Sequence, residues 1–336
     1  MNEDKILDLN KLMEQMTTPD NEITKIVSKM DDIMILGVGG KMGPTLAELI
    51  ARAGGHVVGV DIFPDEEIRN NLEAKGVRTI KCDLFDNAQL SKLPTIQNIF
   101  LLAGTKFGAT GNEPFVWAMN SYLPGKVLER FKKSRIVYLS SGNVYKFIDV
   151  NSGGATEEDE VAPVGEYAMS RLGGERILAY EAKRNNIPCC IVRLFYSTEL
   201  RYGIVHDIAN KIKNGDVIDL SMGYVNQIWQ GDACSYLVKC LSLCEVPVNV
   251  INLTSQEIYR VRDIAEKLGN RMNMEPVFKG KECENALLGN PKKLVNMFGE
   301  PKIDIDQIIE WVADWVMNAG ESLGKPTKFE KRNGKF

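Results

Sequence analysis

Short apolar runs alternate with segments of helical periodicity along the first part of the chain. The runs are four to six residues long and continuous, which is typical of parallel strands buried on both faces. The predicted strands are 32–36, 56–60, 78–82, 99–102, 135–139 and 188–194. The predicted helices between them are 45–53, 68–75, 114–133 and 167–185. This order predicts an α/β fold with a doubly wound parallel sheet covered by helices.

The segments flanking this alternation follow different patterns. Residues 1–30 read as a helical extension with a break at 17–20, and we interpret it as a helix that packs on the protein or on a second copy. Its apolar face comprises Ile6, Leu9, Leu12, Met13 and Met16. After residue 195 the alternation loosens, so we expect a dinucleotide-binding domain over 31–195 and a small substrate-binding lobe over 196–336.

Within this C-terminal part, the pattern predicts three elements and a tail. A strand at 249–253 is expected to return to the main sheet, and helices are expected at 261–272 and 305–317. The tail, 324–336, is basic and polar and is expected to lie on the surface.

Composition narrows the class of protein. Hydrophobic residues make up 44% and charged residues 26%, ordinary values for a globular protein, and the formal net charge is −4. The charge argues against nucleic acid or an anionic membrane as a partner. The acidic, mixed N-terminus is not a secretory signal, and the seven cysteines include no Cys-x-x-Cys pair. We therefore expect a cytoplasmic protein without a metal site.

A glycine-rich turn follows the first predicted strand and opens the first helix. Gly37, Gly40 and Gly43 meet three needs: a tight turn, close backbone approach to a pyrophosphate and close packing of helix on strand. Asp61 ends the second strand, where a carboxylate binds the adenosine ribose hydroxyls. No arginine follows immediately, which favours NAD over NADP. The sequence therefore predicts an NAD site.

The glycine spacing, together with later motifs in the same order, resembles the extended short-chain dehydrogenase/reductase family, the Rossmann-like class of NAD-dependent epimerases and dehydratases. The later motifs are Cys82-Asp83-Leu84, Leu102-Ala103-Gly104-Thr105-Lys106, Met119-Asn120, Ser141 and Tyr167. The cofactor-binding residues that this resemblance implies are Gly37, Gly40, Lys41, Met42, Gly43, Asp61, Ile62, Asp83, Leu84, Ala103, Gly104, Lys106, Asn120, Tyr167, Arg171 and Leu194.

The resemblance implies a catalytic group with one departure. Tyr167 matches the acid/base tyrosine and Ser141 the serine that binds the same substrate oxygen, but Arg171 stands where the family's Tyr-x-x-x-Lys motif has lysine. Guanidinium stays charged and offers several donors, yet it is a poor proton relay. Three alternatives follow: Arg171 substitutes functionally, the enzyme catalyses a variant reaction, or the protein is a catalytically impaired NAD sensor.

The resemblance also bears on the substrate. Gly142 and Asn143 replace the acidic pair of nucleotide-sugar 4,6-dehydratases, Tyr196 replaces an asparagine, and Asn226 stands where those enzymes carry a diphosphate-binding arginine. These differences predict a substrate without a nucleotide. The candidate substrate-binding residues are Ser141, Asn143, Tyr196 and Gln230. Asn226 and Gln227 are equally well interpreted as surface residues, and Trp229 as core.

The function predicted from these residues is an NAD-dependent oxidoreductase acting on a hydroxyl or carbonyl of a sugar, sugar acid or similar small polyol. The alternative enzyme is a sugar epimerase that retains NAD. The family resemblance further implies a homodimer that associates through the helices predicted at 114–133 and 167–185.

Overall fold

The computed structural model describes residues 5–106 and 110–335. The strands are β1 (Ile33–Leu36), β2 (Val57–Asp61), β3 (Arg78–Lys81), β4 (Asn98–Leu101), β5 (Arg135–Ser141), β6 (Ile148–Asp149), β7 (Cys189–Leu194), β8 (Tyr196–Thr198), β9 (Val217–Asp219), β10 (Tyr224–Val225), β11 (Gln227–Trp229), β12 (Asn249–Leu253), β13 (Tyr259–Arg260), β14 (Val277–Lys279) and β15 (Asn285–Ala286). The α-helices are α1 (Leu9–Thr17), α2 (Asn21–Val27), α3 (Gly43–Arg52), α4 (Glu66–Ala74), α5 (Asn87–Lys92), α6 (Glu113–Trp117), α7 (Leu123–Arg130), α8 (Gly165–Asn185), α9 (Ile204–Asn214), α10 (Gln230–Cys240), α11 (Val261–Met272), α12 (Lys292–Phe298) and α13 (Ile305–Met317).

Seven strands form the central sheet in the order β3-β2-β1-β4-β5-β7-β12. Every neighbouring pair is parallel, and β12 pairs with β7 as the pattern at 249–253 predicted. The direction of winding reverses between β1 and β4, and ligands of such sheets bind beyond the carboxyl ends of the strands at this point. The predicted α/β fold class, a Rossmann-like doubly wound sheet, is confirmed.

Both faces of the sheet are buried, which explains the continuous apolar runs. Ile33 and Ile35 of β1 pack with α2, α3 and α10, whereas Met34 and Leu36 pack with α7 and α8 on the opposite face. Successive strand residues point to opposite sides. Each position in β1 therefore needs an apolar side chain, whereas the edge strand β3 keeps Arg78 and Lys81 exposed.

The single helix predicted at 114–133 is interrupted by a wide π-helical turn at Ala118–Tyr122, between α6 and α7. Pro124 has no N–H to donate to the carbonyl of Asn120, four residues earlier. That carbonyl instead accepts a hydrogen bond from the Tyr138 hydroxyl at 3.2 Å. The turn thus joins this helix to β5 of the sheet.

A second core lies in the lobe built mainly from residues after 195. α9, α11 and α13 pack together there, and Leu12 and Met16 of α1 belong to the same core. Trp229 is buried and its ring centroid lies 5.4 Å from that of Trp311. The core interpretation of Trp229 and the packing interpretation of the N-terminal extension are therefore supported.

The C-terminal tail differs from the expected surface segment. Residues 321–335, which we call the C-terminal strap, are anchored across the lobe, and Thr327 and Phe329 are each 1% exposed. Thr327 donates two hydrogen bonds to one carboxylate oxygen of Asp207, and Arg332 donates to the Asn285 carbonyl. Composition predicted the strap's polarity, but only its anchoring contacts show that it is a structural part of the lobe.

Within the described ranges, no helix is both long enough and apolar enough to span a lipid bilayer.

Candidate active site

The glycine turn brings β1, β4 and α3 into close contact. Gly37 has φ +87°, and a Cβ there would lie 2.5 Å from the Ala103 backbone nitrogen. A Cβ on Gly43 would lie 2.1 Å from the Val38 carbonyl oxygen. Any side chain at either position would collide with backbone, so this route of the chain requires glycine. The turn leaves the N-terminus of α3 beside an open groove.

One end of this groove is a cavity of about 400 Å³ beyond β2 and β3. Predicted cofactor residues that line it are Gly37, Gly40, Asp61, Ile62, Asp83, Leu84, Ala103 and Gly104. The Asp61 carboxylate accepts the N–H groups of Gly39 at 2.9 Å and of Ile62 at 2.8 Å. These bonds hold the carboxylate at the end of β2, where it faces the cavity expected to hold an adenosine ribose.

The other end is a cavity of about 420 Å³ between the sheet and the lobe. Predicted residues that line it are Gly37, Gly40, Lys41, Met42, Gly43, Gly104, Lys106, Ser141, Asn143, Tyr167, Arg171, Leu194 and Tyr196. The two cavities share Gly37, Gly40, Leu102 and Gly104 along their walls. A continuous groove therefore crosses the carboxyl ends of β1 and β4, and its two halves and bare glycine backbone fit an NAD molecule.

Ser141 is the last residue of β5 and is buried beside this second cavity. Its hydroxyl accepts the Asn143 N–H at 3.2 Å and donates to the Asn143 side-chain oxygen at 3.0 Å. The serine thus caps the following 3₁₀ turn while its hydroxyl stays at the cavity wall. The end of the strand and the cap together orient the side chain.

Tyr167 lies in the first turns of α8 and is 9% exposed. The Lys106 ammonium is 5.8 Å from the centre of its ring. Burial lowers the pKa of Lys106 to about 8, despite the opposing effect of Asp207. Sequence analysis assigned Lys106 to the cofactor alone, but the structure also places its positive charge beside the tyrosine.

Arg171 is one turn further along α8 and is buried, 5% exposed. Its guanidinium donates to the Leu139 carbonyl and, at 3.4 Å, to the Asn120 side-chain oxygen. It lies 5.0 Å from the centre of the Tyr138 ring. A Cβ on Gly104 would lie 2.4 Å from its Nη1, so glycine there makes room for the larger cation. The arginine ties α8 to the end of β5 while lining the cavity.

A buried ionic network supports the same edge of the sheet. Arg193 of β7 and Glu175 of α8 form an ion pair at 2.7 Å, and the Ser140 hydroxyl donates to Glu175 at 2.6 Å. Arg193 also donates to the Tyr145 hydroxyl, which in turn donates to Asn252 of β12. Burial raises the pKa of Tyr145 to about 12 against the opposing effect of Arg193, so this hydroxyl stays protonated.

Two predicted site residues have other partners. Gln230 is 1% exposed and donates to the Thr45 hydroxyl at 2.8 Å, so it joins α10 to α3 and does not line the cavity. Asn120 is fully buried, and its amide bonds Thr105 N–H, Thr105 carbonyl and the Ser170 hydroxyl. The prediction that Gln230 binds substrate is wrong. Asn120 holds the segment after β4 in place and does not face the groove.

The surface interpretation of Asn226 and Gln227 is also wrong. Asn226 is fully buried and bonds both backbone groups of Gly289, and Gln227 accepts the Thr198 hydroxyl at 2.6 Å. These amides join separate segments of the lobe. Asn226, which stands where related enzymes carry a diphosphate-binding arginine, is therefore structural in this chain.

The cavity-lining residues that sequence reasoning did not assign to a site include Tyr202 and Lys325. It assigned Lys41 to the cofactor, but the Lys41 ammonium donates to the Ser197 carbonyl at 2.7 Å and lies 3.7 Å from the centre of the Tyr202 ring. Burial lowers the pKa of Lys41 to about 7. Because Lys41 lies within the glycine turn, its place at the cavity could be predicted from the sequence. The place of Lys325 could not, because no local pattern marks a tail residue as part of a site.

Comparison with known proteins places this geometry in a family. The family model described as the NAD dependent epimerase/dehydratase family matches residues 33–218. No curated protein matches the sequence.

Solved structures share the fold at low sequence identity. UDP-glucuronic acid 4-epimerase from Bacillus cereus, in complex with NAD, is 20% identical, with 85% of this chain and 96% of that one covered and a TM-score of 0.72. The UDP-Glc/GlcNAc 4-epimerase from Campylobacter jejuni is 18% identical, covering 85% and 98%, with a TM-score of 0.72. MoeE5, in complex with UDP-glucose and NAD, is 17% identical, covering 86% and 99%, with a TM-score of 0.71. Because the family model matches and the groove fits the cofactor of that family, the chain belongs to the NAD-dependent epimerase/dehydratase family. It is an NAD-dependent enzyme of the epimerase or dehydrogenase type.

Proposed function

We propose that the protein is an NAD-dependent oxidoreductase acting on a hydroxyl or carbonyl of a sugar, sugar acid or similar small polyol without a nucleotide. The observation that carries the proposal is the convergence of Ser141, Tyr167 and Lys106 on one cavity that continues into the NAD groove. One wall of the cavity thus presents an acid/base group, a hydroxyl and a cation to a bound substrate.

Each side chain has a distinct role in this reaction. Bound NAD supplies the hydride acceptor or donor. Tyr167, acting as the base, takes the proton of the substrate hydroxyl while the carbon loses hydride, and returns it in the reverse direction. A free phenol has a pKa of about 10, so this role needs positive charge nearby. Lys106 supplies that charge, and the Ser141 hydroxyl turns from Asn143 to donate a hydrogen bond to the substrate oxygen.

In this mechanism Arg171 mainly positions other groups at the cavity. Its guanidinium is held by the Leu139 carbonyl and the Asn120 side chain. We therefore assign it to shaping the nicotinamide side of the cavity and to contributing fixed positive charge. The proton leaves Tyr167 through the substrate or water, since guanidinium does not release one at neutral pH.

The strap closes the part of the lobe beyond Tyr196, which supports a substrate without a nucleotide. Beyond Tyr196 the strap residues Lys331 and Gly334 line a remaining space of only about 10 Å³. Arg332 of the strap is bonded to the Ser221 and Asn285 carbonyls and lies over the Phe147 ring. The UDP-sugars named for the similar structures bind those proteins. In this chain, the strap leaves room beside Tyr167 for a small substrate.

A second candidate is an epimerase that oxidises and re-reduces a sugar carbon while keeping NAD bound. The family match and the two 4-epimerases of the same fold favour it. A dehydrogenase accumulates NADH when substrate is added to excess NAD, whereas an epimerase interconverts two sugars without net NADH. Absorbance of NADH and chromatography of the sugars separate the two.

The experiment that tests the proposed chemistry is a screen of polyols, sugars and sugar acids with NAD. Activity should fall at least about 100-fold in Tyr167→Phe, because the variant keeps the ring but loses the acid/base group. Tyr180→Phe is the matched control, since Tyr180 is 64% exposed on the same helix, and it should retain full activity. Undiminished turnover in Tyr167→Phe would overturn the assignment.

We further propose that the chain forms a homodimer through α6, α7 and α8. Large apolar side chains are exposed on α6, on the π turn before α7 and on α8. They are Phe115, Trp117, Tyr122, Met169, Ile177 and Tyr180. The three on α8 are spaced to lie along one face, as expected for a helix that packs on a partner.

A further inference from the structure

The cavity beside Tyr167 is lined by four cationic side chains from four parts of the chain. They are Lys41 of the glycine turn, Lys106 after β4, Arg171 of α8 and Lys325 of the C-terminal strap. No aspartate or glutamate is among the described residues that line it. The neutral polar groups on the same wall, including Ser141, Asn143 and Tyr196, add hydrogen-bonding capacity without negative charge.

The acidic residues nearest these cations are committed to other partners. Glu199 is fully buried and pairs with Arg201 at 3.1 Å, and Asp207 accepts both hydrogen bonds from Thr327. Lys325 is exposed, and in residues 5–106 and 110–335 its ammonium makes no hydrogen bond or ion pair. The strap therefore presents a positive charge at the cavity, while Asp207, Asp216 and Glu330 line a neighbouring cavity of about 350 Å³ that Lys325 also borders.

Positive charge in this cavity exceeds what NAD would neutralise. The pyrophosphate of NAD carries two negative charges, partly stabilised by the N-terminus of α3, and the oxidised nicotinamide ring is itself positive. Burial, with a smaller contribution from the Lys106 ammonium, lowers the pKa of Lys41 to about 7 against the opposing effect of Glu199. A second anion in the cavity would stabilise the charged form of both lysines.

We propose that the substrate carries an anionic group, a carboxylate or a phosphate, and that Lys325 of the strap binds it while Lys41 and Lys106 add positive potential. The inference rests on the proposed function only for the position of the substrate beside Tyr167. It makes Lys325 a specificity-determining residue, 158 positions away from the tyrosine in sequence. Charge-assisted hydrogen bonds to a carboxylate or phosphate are stronger than those to a neutral hydroxyl.

The test is calorimetric binding to the NAD-loaded protein, which does not require turnover. The probes are glucuronate and glucose 6-phosphate, with glucose and sorbitol as neutral counterparts of the same carbon number. We expect at least one anion to bind at millimolar concentration and both neutral compounds to bind at least about tenfold more weakly. Which anion binds distinguishes a carboxylate from a phosphate.

Variants of the strap separate the role of Lys325 from that of the cavity as a whole. Lys325→Gln should weaken anion binding about tenfold, Lys325→Arg should restore most of it, and added salt should weaken binding to the natural protein. Lys335→Gln is the matched control, because Lys335 is an exposed strap lysine outside the cavity lining. It should bind like the natural protein.

Three outcomes would overturn the inference. They are equal binding of neutral and anionic probes, unchanged affinity in Lys325→Gln, and no binding of either anion. None of these bears on NADH formation or on the Tyr167→Phe comparison. Failure of the anion site is therefore distinguishable from failure of the proposed oxidoreductase chemistry.

Discussion

Arg171 replaces the family's lysine at the position that most directly affects the chemistry. Its guanidinium reaches two acceptors on different elements, the Leu139 carbonyl and the Asn120 side chain, and Gly104 leaves space for it. A lysine has a single ammonium and cannot span both acceptors in the same way. The surroundings are thus adapted to arginine.

Arg171→Lys should therefore lower kcat/KM about tenfold rather than raise it, since the positive charge stays but one of the two hydrogen bonds is lost. Steady-state kinetics on the substrate found in the NAD screen would measure this. Arg176→Lys, on the exposed face of the same helix, should have no effect. An increase of tenfold or more in Arg171→Lys would show that the natural site is degenerate.

Lys41 destabilises the ligand-free protein at neutral pH. Burial lowers its pKa from 10.5 in the unfolded chain to about 7 in the folded one. Between these values the unfolded chain binds a proton that the folded protein does not, so stability rises with pH through this window. Below about pH 7, both states carry the charge and the full cost of burying it remains.

Lys41→Met should accordingly raise the free energy of unfolding at pH 6 to 7 by on the order of 1 kcal/mol, and the gain should shrink towards pH 10. Urea titrations of the protein without NAD, repeated across this range, measure the difference. Lys133→Met is a control at an exposed lysine. A gain that grows with pH would contradict the assigned cause.

At the scale of elements, the carboxyl edge of the sheet depends on the Glu175–Arg193 pair. It joins α8 to β7 and, through Ser140 and Tyr145, to β5 and β12. Both side chains of the pair are almost completely buried. Removing one charge would leave the other buried and unpaired, which costs more than the pair itself contributes.

Glu175→Gln should therefore destabilise the protein by about 3 kcal/mol while keeping the side-chain volume. Glu160→Gln breaks the exposed pair with Lys146 and should cost less than about 0.5 kcal/mol. Thermal and urea unfolding of both variants test the contrast. Equal losses would show that the buried network does not stabilise this edge.

At the scale of the whole molecule, the apolar side chains exposed on α6, the π turn and α8 predict the state of assembly. We expect the natural protein to be a dimer by size-exclusion chromatography with light scattering at micromolar concentration. Ile177→Asp should yield a folded monomer, because a charge would be buried unpaired in the interface. Val277→Asp, at an exposed valine elsewhere, should remain dimeric. A monomeric natural protein would refute this assembly.

The elements were predictable where local pattern and tertiary burial agree. β1 and β7 are buried on both faces and therefore appear as continuous apolar runs. α9 and α10 were not predicted, since α10 is almost wholly buried, including its polar residues, and lacks a clear polar face. The π turn was missed because its cause is a missing hydrogen bond at Pro124, which a helical period does not reveal.

Taken alone, the sequence determined the parallel α/β sheet and the glycine turn with Asp61, because each depends on neighbouring residues in one strand, turn or helix. Ser141 and Tyr167 were candidates through the family resemblance that their motifs carry. Only the tertiary structure decided that Gln230 and Asn120 are buried braces, that Lys106 lies beside Tyr167, and that the strap brings Lys325 to the cavity. These outcomes depend on which distant segments meet. Contacts between segments far apart in sequence leave no local periodicity, and the burial that they create sets both the partners and the pKa of each polar group.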